Sequence, residues 1–197
     1  TSIAAFENYQ VNEAWVWERL ALSRSRLLNG DLNLCHRIND IIFNALNSDI
    51  LSSQVITEVD EMRVKLNKKA TANSTLIDLK LGAGKLQDLE LLIQMGALLL
   101  KSFKSSSPFE MIKDLKDLRF LSDYEARVCQ EAYHLYFSLQ QFLSIIFTSQ
   151  INESSIKNIH EMLKIHGLKD LPKNIDLILT DLSISIDNIF NKKLNNV

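Results

Sequence analysis

The sequence predicts an all-α protein, an antiparallel helical bundle on which additional helices pack. Apolar residues recur at helical spacing along nearly the whole chain, and no segment shows a convincing strand alternation. Only five glycines and two prolines occur among 197 residues, whereas strong helix formers are abundant. The hydrophobic fraction of 46% and the charged fraction of 23% are typical of a globular protein with an ordinary core.

The N-terminal region is expected to hold a short helix near residues 3–9 and a longer helix over residues 12–27. Gly30 would end that helix and Asp31 would cap the next one, because glycine suits a helix C-terminus and an aspartate oxygen accepts from the first free N–H groups. The second helix carries its apolar face on Leu34, Ile38, Ile41, Ile42 and Ala45. A third helix is predicted over residues 51–69, and a long loop follows it.

The second half of the chain is predicted to continue as helices. One runs over residues 85–103, and a serine-rich linker ending at Pro108 opens a short helix to residue 121. Ser122 then caps the longest helix. Its apolar stripe is expected on Val128, Ala132, Leu135, Leu139, Phe142 and Ile146. Two further helices, over residues 154–166 and 175–194, complete the chain.

The net charge argues against a nucleic-acid partner, and the cysteine content argues against an oxidising compartment. A formal net charge of -2 offers no basic surface for nucleic acid. Cys35 and Cys129 are isolated in apolar helical patterns, which favours a reducing, cytoplasmic setting over a disulfide framework. No signal peptide is recognisable. Residues 132–152 lack charged side chains, but several polar ones favour a buried core helix over a membrane span.

The sequence GAGK, residues 82–85, suggests a phosphate-binding loop, but its surroundings do not fit one. A Walker A loop needs glycine where Leu79 stands and serine or threonine where Leu86 stands. Asp88 and Glu90 lie in the first turns of the following helix, where they would repel phosphate. We therefore interpret GAGK as a turn that leads into a helix.

Motifs for metal binding and hydrolysis are weak. Glu131 and His134 form a single E-x-x-H step, whereas a di-iron bundle needs two such steps and two more inward-facing glutamates. No G-x-S-x-G elbow is present, and neither cysteine has a basic neighbourhood. The sequence thus predicts no metal site and no catalytic residue in this chain.

The segment NEAWVWERLALSRSR, residues 12–26, combines aromatic and basic side chains. On one continuous helix, Trp15 and Trp17 would point about 200° apart, so both sides of that helix should be covered. Arg24 would lie along Trp17, and Arg26 would point elsewhere unless the helix unwinds there. Such arginines can recognise phosphate or can cover the core with their alkyl stems, and the spacing leaves both roles open.

Three stretches, in this order, resemble the bifunctional glutamine synthetase adenylyltransferase/deadenylylase family. AFENYQVNEAWVWERLALSRSR is similar to its AFxxYQxxEAWTWExQALxRAR segment, EVDEMRVKL to its V-x-x-MR-x-K/R-M helix, and DLKLGAGKLQDLELLIQ to FDLKxGxGGIxDIEFxVQ. The similarity covers residues 2–146 and is to the adenylylating half. Leu20 stands where the family usually has glutamine, and Lys85 stands where the second glycine of GG is usual.

The resemblance implies a domain division and a function. Residues 1–30 would be the terminal helices of a nucleotidyltransferase catalytic domain, and residues 31–197 a C-terminal helical bundle domain. The full-length enzyme would use ATP and Mg²⁺ to transfer AMP to a tyrosine of glutamine synthetase, under control of the PII signal protein and glutamine. This chain would lack the catalytic carboxylates, so the fragment alone is expected to be inactive and to hold no cofactor.

The same resemblance implies roles for individual residues. Glu18, Arg24 and Arg26 are the candidates for supporting the nucleotide. The candidates for structural or inter-domain roles are Trp15, Trp17, Asp78, Lys80, Gly82, Gly84, Asp88 and Glu90. Two other functions remain open on the sequence alone: a non-catalytic helical regulatory or protein-interaction module, and a ligand-binding bundle. The sequence after Ile151 is a generic helical tail with no assigned role.

Overall fold

A computed structural model of the protein describes residues 2–70, 77–103, 107–145, 150–151, 153–165 and 174–195, and it confirms the all-α class. In chain order the helices are α1 (Ile3–Asn12), α2 (Val16–Leu22), α3 (Leu32–Leu46), α4 (Ser52–Asn67), α5 (Leu86–Leu99), α6 (Pro108–Asp117), α7 (Asp123–Ile145), α8 (Glu153–Ile165) and α9 (Ile175–Asn195). Two short strands, β1 (Ile77–Asp78) and β2 (Gln150–Ile151), pair antiparallel.

Helix starts follow the capping signals in the sequence. The Asp31 carboxylate accepts from the Leu34 N–H at 3.0 Å and caps α3. Ser122 and Glu125 form a capping box at α7: the Ser122 hydroxyl accepts from the Glu125 N–H at 3.2 Å, and the Glu125 carboxylate accepts from the Ser122 N–H at 2.8 Å. Pro108 occupies the first position of α6. The predicted caps at Asp31 and Ser122 are therefore confirmed.

The two N-terminal helices are present as predicted, but the bounds predicted for the second, residues 12–27, are wrong, because α1 continues to Asn12 and α2 covers only Val16–Leu22. The N–H groups of Glu13 and Ala14 both donate to the Tyr9 carbonyl at 2.9 Å, which closes α1. Trp15 is extended, with φ -80° and ψ 162°, and α2 starts after it. Helix α2 ends at Leu22, well before the predicted stop at Gly30.

The described residues fall into two compact units. The first contains the described chain up to Met62 together with Glu90–Ala126, and the second contains Arg63–Leu89 together with the described part of residues 127–195. Fully buried side chains of the first unit include Leu20, Val59, Leu92, Ile112 and Leu121, and those of the second include Leu79, Leu89, Tyr136, Leu179 and Phe190. The domain boundary near residue 30 stays a prediction.

Helix α7 carries the longest apolar face, and its buried positions differ in part from those expected. Val128, Ala132 and Leu139 are buried as predicted, whereas Leu135 and Phe142 are only half-buried and Ile146 lies outside the described residues. Additional buried positions are Cys129, Tyr133, Tyr136 and Leu143. None of the helices in the described ranges combines the length and apolar character that crossing a membrane requires.

Candidate functional site

Glu18 is held by two hydrogen bonds near the start of α2. One carboxylate oxygen accepts from the Tyr9 hydroxyl, and the other accepts from the Trp15 N–H at 2.9 Å. The hydrogen bond to Glu18 raises the pKa of Tyr9, because the phenol donates to a carboxylate. Glu18 thus joins the end of α1 to the start of α2 and caps an N–H that has no partner inside the helix.

Arg24 lies beyond the end of α2, so helical spacing does not place it beside Trp17. Its guanidinium forms an ion pair with the Glu90 carboxylate at 2.7 Å, and both side chains are partly exposed. The pair connects the first and third motifs of the family pattern. Because it is in contact with solvent, we expect it to contribute at most about 1 kcal/mol.

Both tryptophans are exposed in this chain. Trp15 keeps 66% of its surface accessible and Trp17 keeps 47%. The prediction that both sides of the tryptophan helix are covered is therefore wrong for the chain alone. Its premise fails because Trp15 precedes α2 in an extended conformation instead of lying on a continuous helix with Trp17.

Arg26 lies in the irregular segment after α2 and is exposed. Among the residues that the structure describes, none forms an ion pair or hydrogen bond with the Arg26 side chain. Arg26 lines a cavity of about 380 Å³, whose other walls come from the end of α2, from α3 and from Phe103. Of the three nucleotide-support candidates, Glu18 and Arg24 bind groups within the first unit, and Arg26 alone faces open space.

The glycine motif forms a hydrogen-bonded turn before α5. The Asp78 carboxylate accepts from the N–H groups of Lys80 at 2.7 Å and Leu81 at 3.0 Å. Gly82 and Gly84 have φ values of 118° and 70°, which glycine adopts readily. Lys85 does not share this left-handed conformation, so lysine at the position of the usual second glycine causes no backbone strain.

Gly84 is required where it stands because the backbone of α9 approaches it closely. A Cβ atom on Gly84 would lie 1.8 Å from the Ser183 carbonyl oxygen. The Gly84 N–H donates to Asp88 at 2.8 Å, and its carbonyl accepts from the Tyr136 hydroxyl at 3.2 Å. Burial raises the pKa of Tyr136, which keeps this donor protonated. Since Asp88 already takes the Gly84 N–H, the turn does not offer it to a phosphate.

The lysine that made GAGK look like a phosphate loop is half-buried beside the same turn. Burial lowers the pKa of Lys85, and the negative charge of Asp78 opposes that effect only in part. Lys80 is exposed; its carbonyl accepts from the Gln87 N–H at 3.1 Å. Of these two lysines, Lys85 is the one that the fold keeps partly from water.

A buried arginine in α4 donates hydrogen bonds to side chains of α5 and α9 in the second unit. Arg63 donates from two nitrogens to the two oxygens of Asp88, both at 2.7 Å, and also donates to Asp187 and to Asn191. Its guanidinium carbon lies 4.2 Å from the centre of the Phe190 ring. Burial by itself lowers the pKa of Arg63, but hydrogen bonds and charge from Asp88 and Asp187 outweigh it and raise that pKa.

We refer to Arg63, Asp88, Asp187, Asn191 and Phe190 as the Arg63 cluster. Of its members, only Asp88 was a candidate from the sequence, for fixing the helix entrance. Asp187 and Asn191 are missed because their partner in α4 is more than a hundred residues away. The available signal was the spacing of Asp187 and Asn191, which lie one helical turn apart on the side of α9 that carries the buried Phe190.

The described carboxylates do not form a metal site. No group of three His, Cys, Asp or Glu side chains within the described ranges is placed to hold a metal ion. Glu18, Asp78 and Asp88 accept from protein donors, and Glu90 pairs with Arg24. Glu131 and His134 are exposed on α7. The donor set that Mg²⁺ requires is therefore not found among these residues.

Two family models match the chain. The model for glutamate-ammonia ligase adenylyltransferase matches residues 1–41, and the model for GlnD PII-uridylyltransferase matches residues 55–174. The second match spans more than half of the sequence, and the chain belongs to that family.

Among curated proteins, the chain is similar to bifunctional glutamine synthetase adenylyltransferase/adenylyl-removing enzymes. It is 39% identical to that of Mesorhizobium japonicum over 98 residues and 40% identical to that of Methylococcus capsulatus over 96 residues, which is 50% and 48% of this chain. Identity to the Pseudomonas syringae enzyme is 30% over 154 residues, 69% of the chain. The resemblance inferred from the three motifs is thus confirmed. The matched regions represent only 10–16% of these relatives' lengths.

Proposed function

We propose that this chain is the C-terminal helical portion of an adenylyltransferase that transfers AMP from ATP to a tyrosine of glutamine synthetase. The catalytic carboxylates, with their Mg²⁺ and ATP, would belong to a nucleotidyltransferase domain outside this chain, and residues 1–30 would be the terminal helices of that domain. The whole enzyme would be cytoplasmic and would respond to the PII signal protein. Adenylyl transfer is preferred over uridylyl transfer because the curated relatives are named for it.

The observation that carries this proposal is the exposed apolar surface of the N-terminal segment. Seven exposed large hydrophobic side chains among the described residues lie between positions 11 and 34: Val11, Trp15, Trp17, Leu27, Leu28, Leu32 and Leu34. Such a concentration is unusual for a surface that remains in water. It coincides with the segment that the adenylyltransferase model matches. A catalytic domain packed on this segment would cover these side chains.

Residue roles follow from the contacts already described. Glu18 and Arg24 would support the nucleotide indirectly, by fixing α2 and the segment after it. Arg26 is the nucleotide-support candidate whose charge is available to a ligand. Within the described ranges no group of side chains is placed to hold Mg²⁺, and no step of adenylyl transfer is assigned to these residues.

The proposal is tested with the polypeptide encoded by the whole gene. Glutamine synthetase would be incubated with that polypeptide and either ATP or UTP labelled at the α-phosphate, and label on tyrosine would be measured. We expect labelling from ATP and not from UTP. Labelling from UTP alone, or no labelling from either nucleotide, would contradict the proposal.

The role of the exposed aromatic surface is tested in the same assay. Replacing Trp17 by alanine should lower AMP transfer at least about tenfold, because loss of a buried interface aromatic commonly costs 2 kcal/mol or more. Tyr124→Ala is the matched control, since Tyr124 is also an exposed aromatic of the first unit. Equal activity of the two variants would contradict the proposed packing. A whole polypeptide without transferase activity would favour the alternative, a non-catalytic regulatory or interaction module.

A further inference from the structure

The cavity beside Arg26 has the composition of a small-molecule site. Half of its apolar lining residues come from α3, where Ile42, Phe43 and Leu46 share one side of the helix. Phe103 faces the cavity from the segment after α5. The volume of about 380 Å³ lies in the range in which proteins bind small ligands. Phe43 keeps 62% of its surface exposed in the chain, although it is a large aromatic residue.

Two polar side chains of the cavity donate hydrogen bonds to the backbone, and two others have no hydrogen-bond partner within the described residues. The Ser23 hydroxyl donates to the Leu20 carbonyl at 2.6 Å, and the Ser25 hydroxyl donates to the Leu22 carbonyl at 2.7 Å. The side chains of Arg26 and Asn39 also line the cavity, and neither bonds to any residue in the described part of the chain. A cation and an amide without a partner in the described chain therefore line the same cavity as aromatic and aliphatic side chains.

A second cavity adjoins the first through the two phenylalanines. It has a volume of about 290 Å³, and Phe43 and Phe103 line both cavities. Ser102, more than nine-tenths buried, is one of the residues around the second cavity, and its hydroxyl oxygen has no hydrogen-bond partner within the described residues. That oxygen is shielded from solvent, so the second cavity offers a ligand mainly the apolar surface of the two phenylalanines.

We propose that this cavity binds a small organic anion with a flat apolar body. The anionic group, a carboxylate or a phosphate, pairs with the Arg26 guanidinium and accepts a hydrogen bond from the Asn39 amide. The flat body packs against Phe43 and Phe103, where an aromatic ring gains both burial and stacking. This inference does not rest on the adenylyl-transfer proposal, because it concerns binding by this chain alone.

The test uses two fluorescent probes that have related bodies and differ in charge. 8-Anilinonaphthalene-1-sulfonate carries an anion, and N-phenyl-1-naphthylamine does not. The Arg26→Gln variant should bind the sulfonate about tenfold more weakly and the amine as tightly as the wild type, because only the anion loses a charge-assisted bond. Arg37→Gln is the matched control, since Arg37 is an exposed arginine of the same unit outside the cavity. Phe43→Ala should weaken both probes.

The position and the anion type are tested separately. In a ¹⁵N-labelled chain, the sulfonate should shift the side-chain amide signals of Asn39. Phenyl phosphate and benzoate should then be added in turn, and the one that displaces the probe identifies a phosphate or a carboxylate site. The proposal is overturned if the wild type shows no saturable sulfonate binding, if Arg26→Gln and Arg37→Gln behave alike, or if neither anion displaces the probe.

Discussion

The two units each bury one arginine, and they compensate its charge in different ways. In the first unit, Arg19 donates to the carbonyls of Ala45 at 2.6 Å and Gln10 at 3.3 Å, and to the Ser48 hydroxyl. In the second unit, Arg63 donates to two carboxylates and an amide. Burial lowers the pKa of Arg19, whereas the carboxylates raise the pKa of Arg63 against the same effect of burial.

The difference shows two ways to hold a cation away from water. Gln10 lies in the last turn of α1 and Ala45 in the last turn of α3, so Arg19 binds the negative ends of two helix dipoles. Arg63 instead forms ion pairs that join α4 to the start of α5 and to α9. Removing Arg19 leaves the Gln10 carbonyl without this donor, whereas the Ala45 carbonyl still accepts from the Ser48 hydroxyl at 2.8 Å. Removing Arg63 leaves the buried Asp88 carboxylate without its ion-pair partner. The consequences for stability should therefore differ in size.

The largest loss of folding stability is expected from Arg63→Met. Loss of one partner of a buried ion pair typically destabilises by about 3–5 kcal/mol, because the remaining charge is left uncompensated. Urea denaturation followed by circular dichroism at neutral pH would measure this loss of stability.

Arg127→Met is the control for this variant, because Arg127 is an exposed arginine of the same unit. It should change the free energy of unfolding by no more than about 0.5 kcal/mol. An Arg63→Met deficit as small as that of the control would show that the Arg63 cluster does not stabilise the fold as described.

A smaller effect is expected from Arg19→Met. The loss of hydrogen bonds from a charged donor to neutral acceptors should cost about 1.5–3 kcal/mol. All three acceptors of Arg19 are uncharged, so this deficit should be smaller than that of Arg63→Met. The same denaturation series measures it, with the exposed Arg37→Met as control. A deficit as large as that of Arg63→Met would remove the contrast between the units.

The smallest change in the free energy of unfolding is expected from Lys85→Met, and this variant should be more stable than the wild type. The lowered pKa of Lys85 means that the unfolded chain binds more protons between that pKa and about 10.4, so wild-type stability should rise with pH in this range. At neutral pH the variant should be more stable by about 0.5–1 kcal/mol, because an apolar group replaces a partly buried cation.

The advantage of Lys85→Met should shrink as the pH rises, because the wild-type lysine loses its proton more readily in the folded state than in the unfolded chain. Measurements should stop below about pH 10, because the stability contribution of a tyrosine with a raised pKa, such as Tyr136, is lost above that pH. A constant difference between neutral and alkaline pH would argue against a buried ammonium group at this position. Lys80→Met, at an exposed lysine of the same turn, is the control.

Local signals predicted most of the helices. Asp31, Ser122 and Pro108 each mark a helix start through a side chain or ring that acts within three residues, so a single sequence suffices to recognise them. The break before α2 carries no glycine or proline. It depends on Glu18, whose carboxylate accepts from the Tyr9 hydroxyl nine residues earlier and from the Trp15 N–H. Trp15 occupies the N-cap position of α2, where tryptophan is not a usual residue.

The candidate sites were predicted only in part because their partners are distant. Gly84 was identified as part of a turn, but its requirement for glycine comes from the Ser183 carbonyl, ninety-nine positions later in the chain. The free position of Arg26 depends on the early end of α2, which the helical pattern does not show. The strand pair Ile77–Asp78 and Gln150–Ile151 is too short to produce a visible alternation.

The Arg63 cluster also affects the order in which the second unit can fold. Asp88 lies 25 residues after Arg63, whereas Asp187 lies 124 residues after it. Because the entropy of loop closure grows with loop length, we expect the Arg63–Asp88 pair to form before either partner from α9 joins. On the ribosome, Asp187 is added roughly 5–20 s after Asp88 at common synthesis rates. The second unit is therefore completed only when α9 emerges and packs its backbone against Gly84.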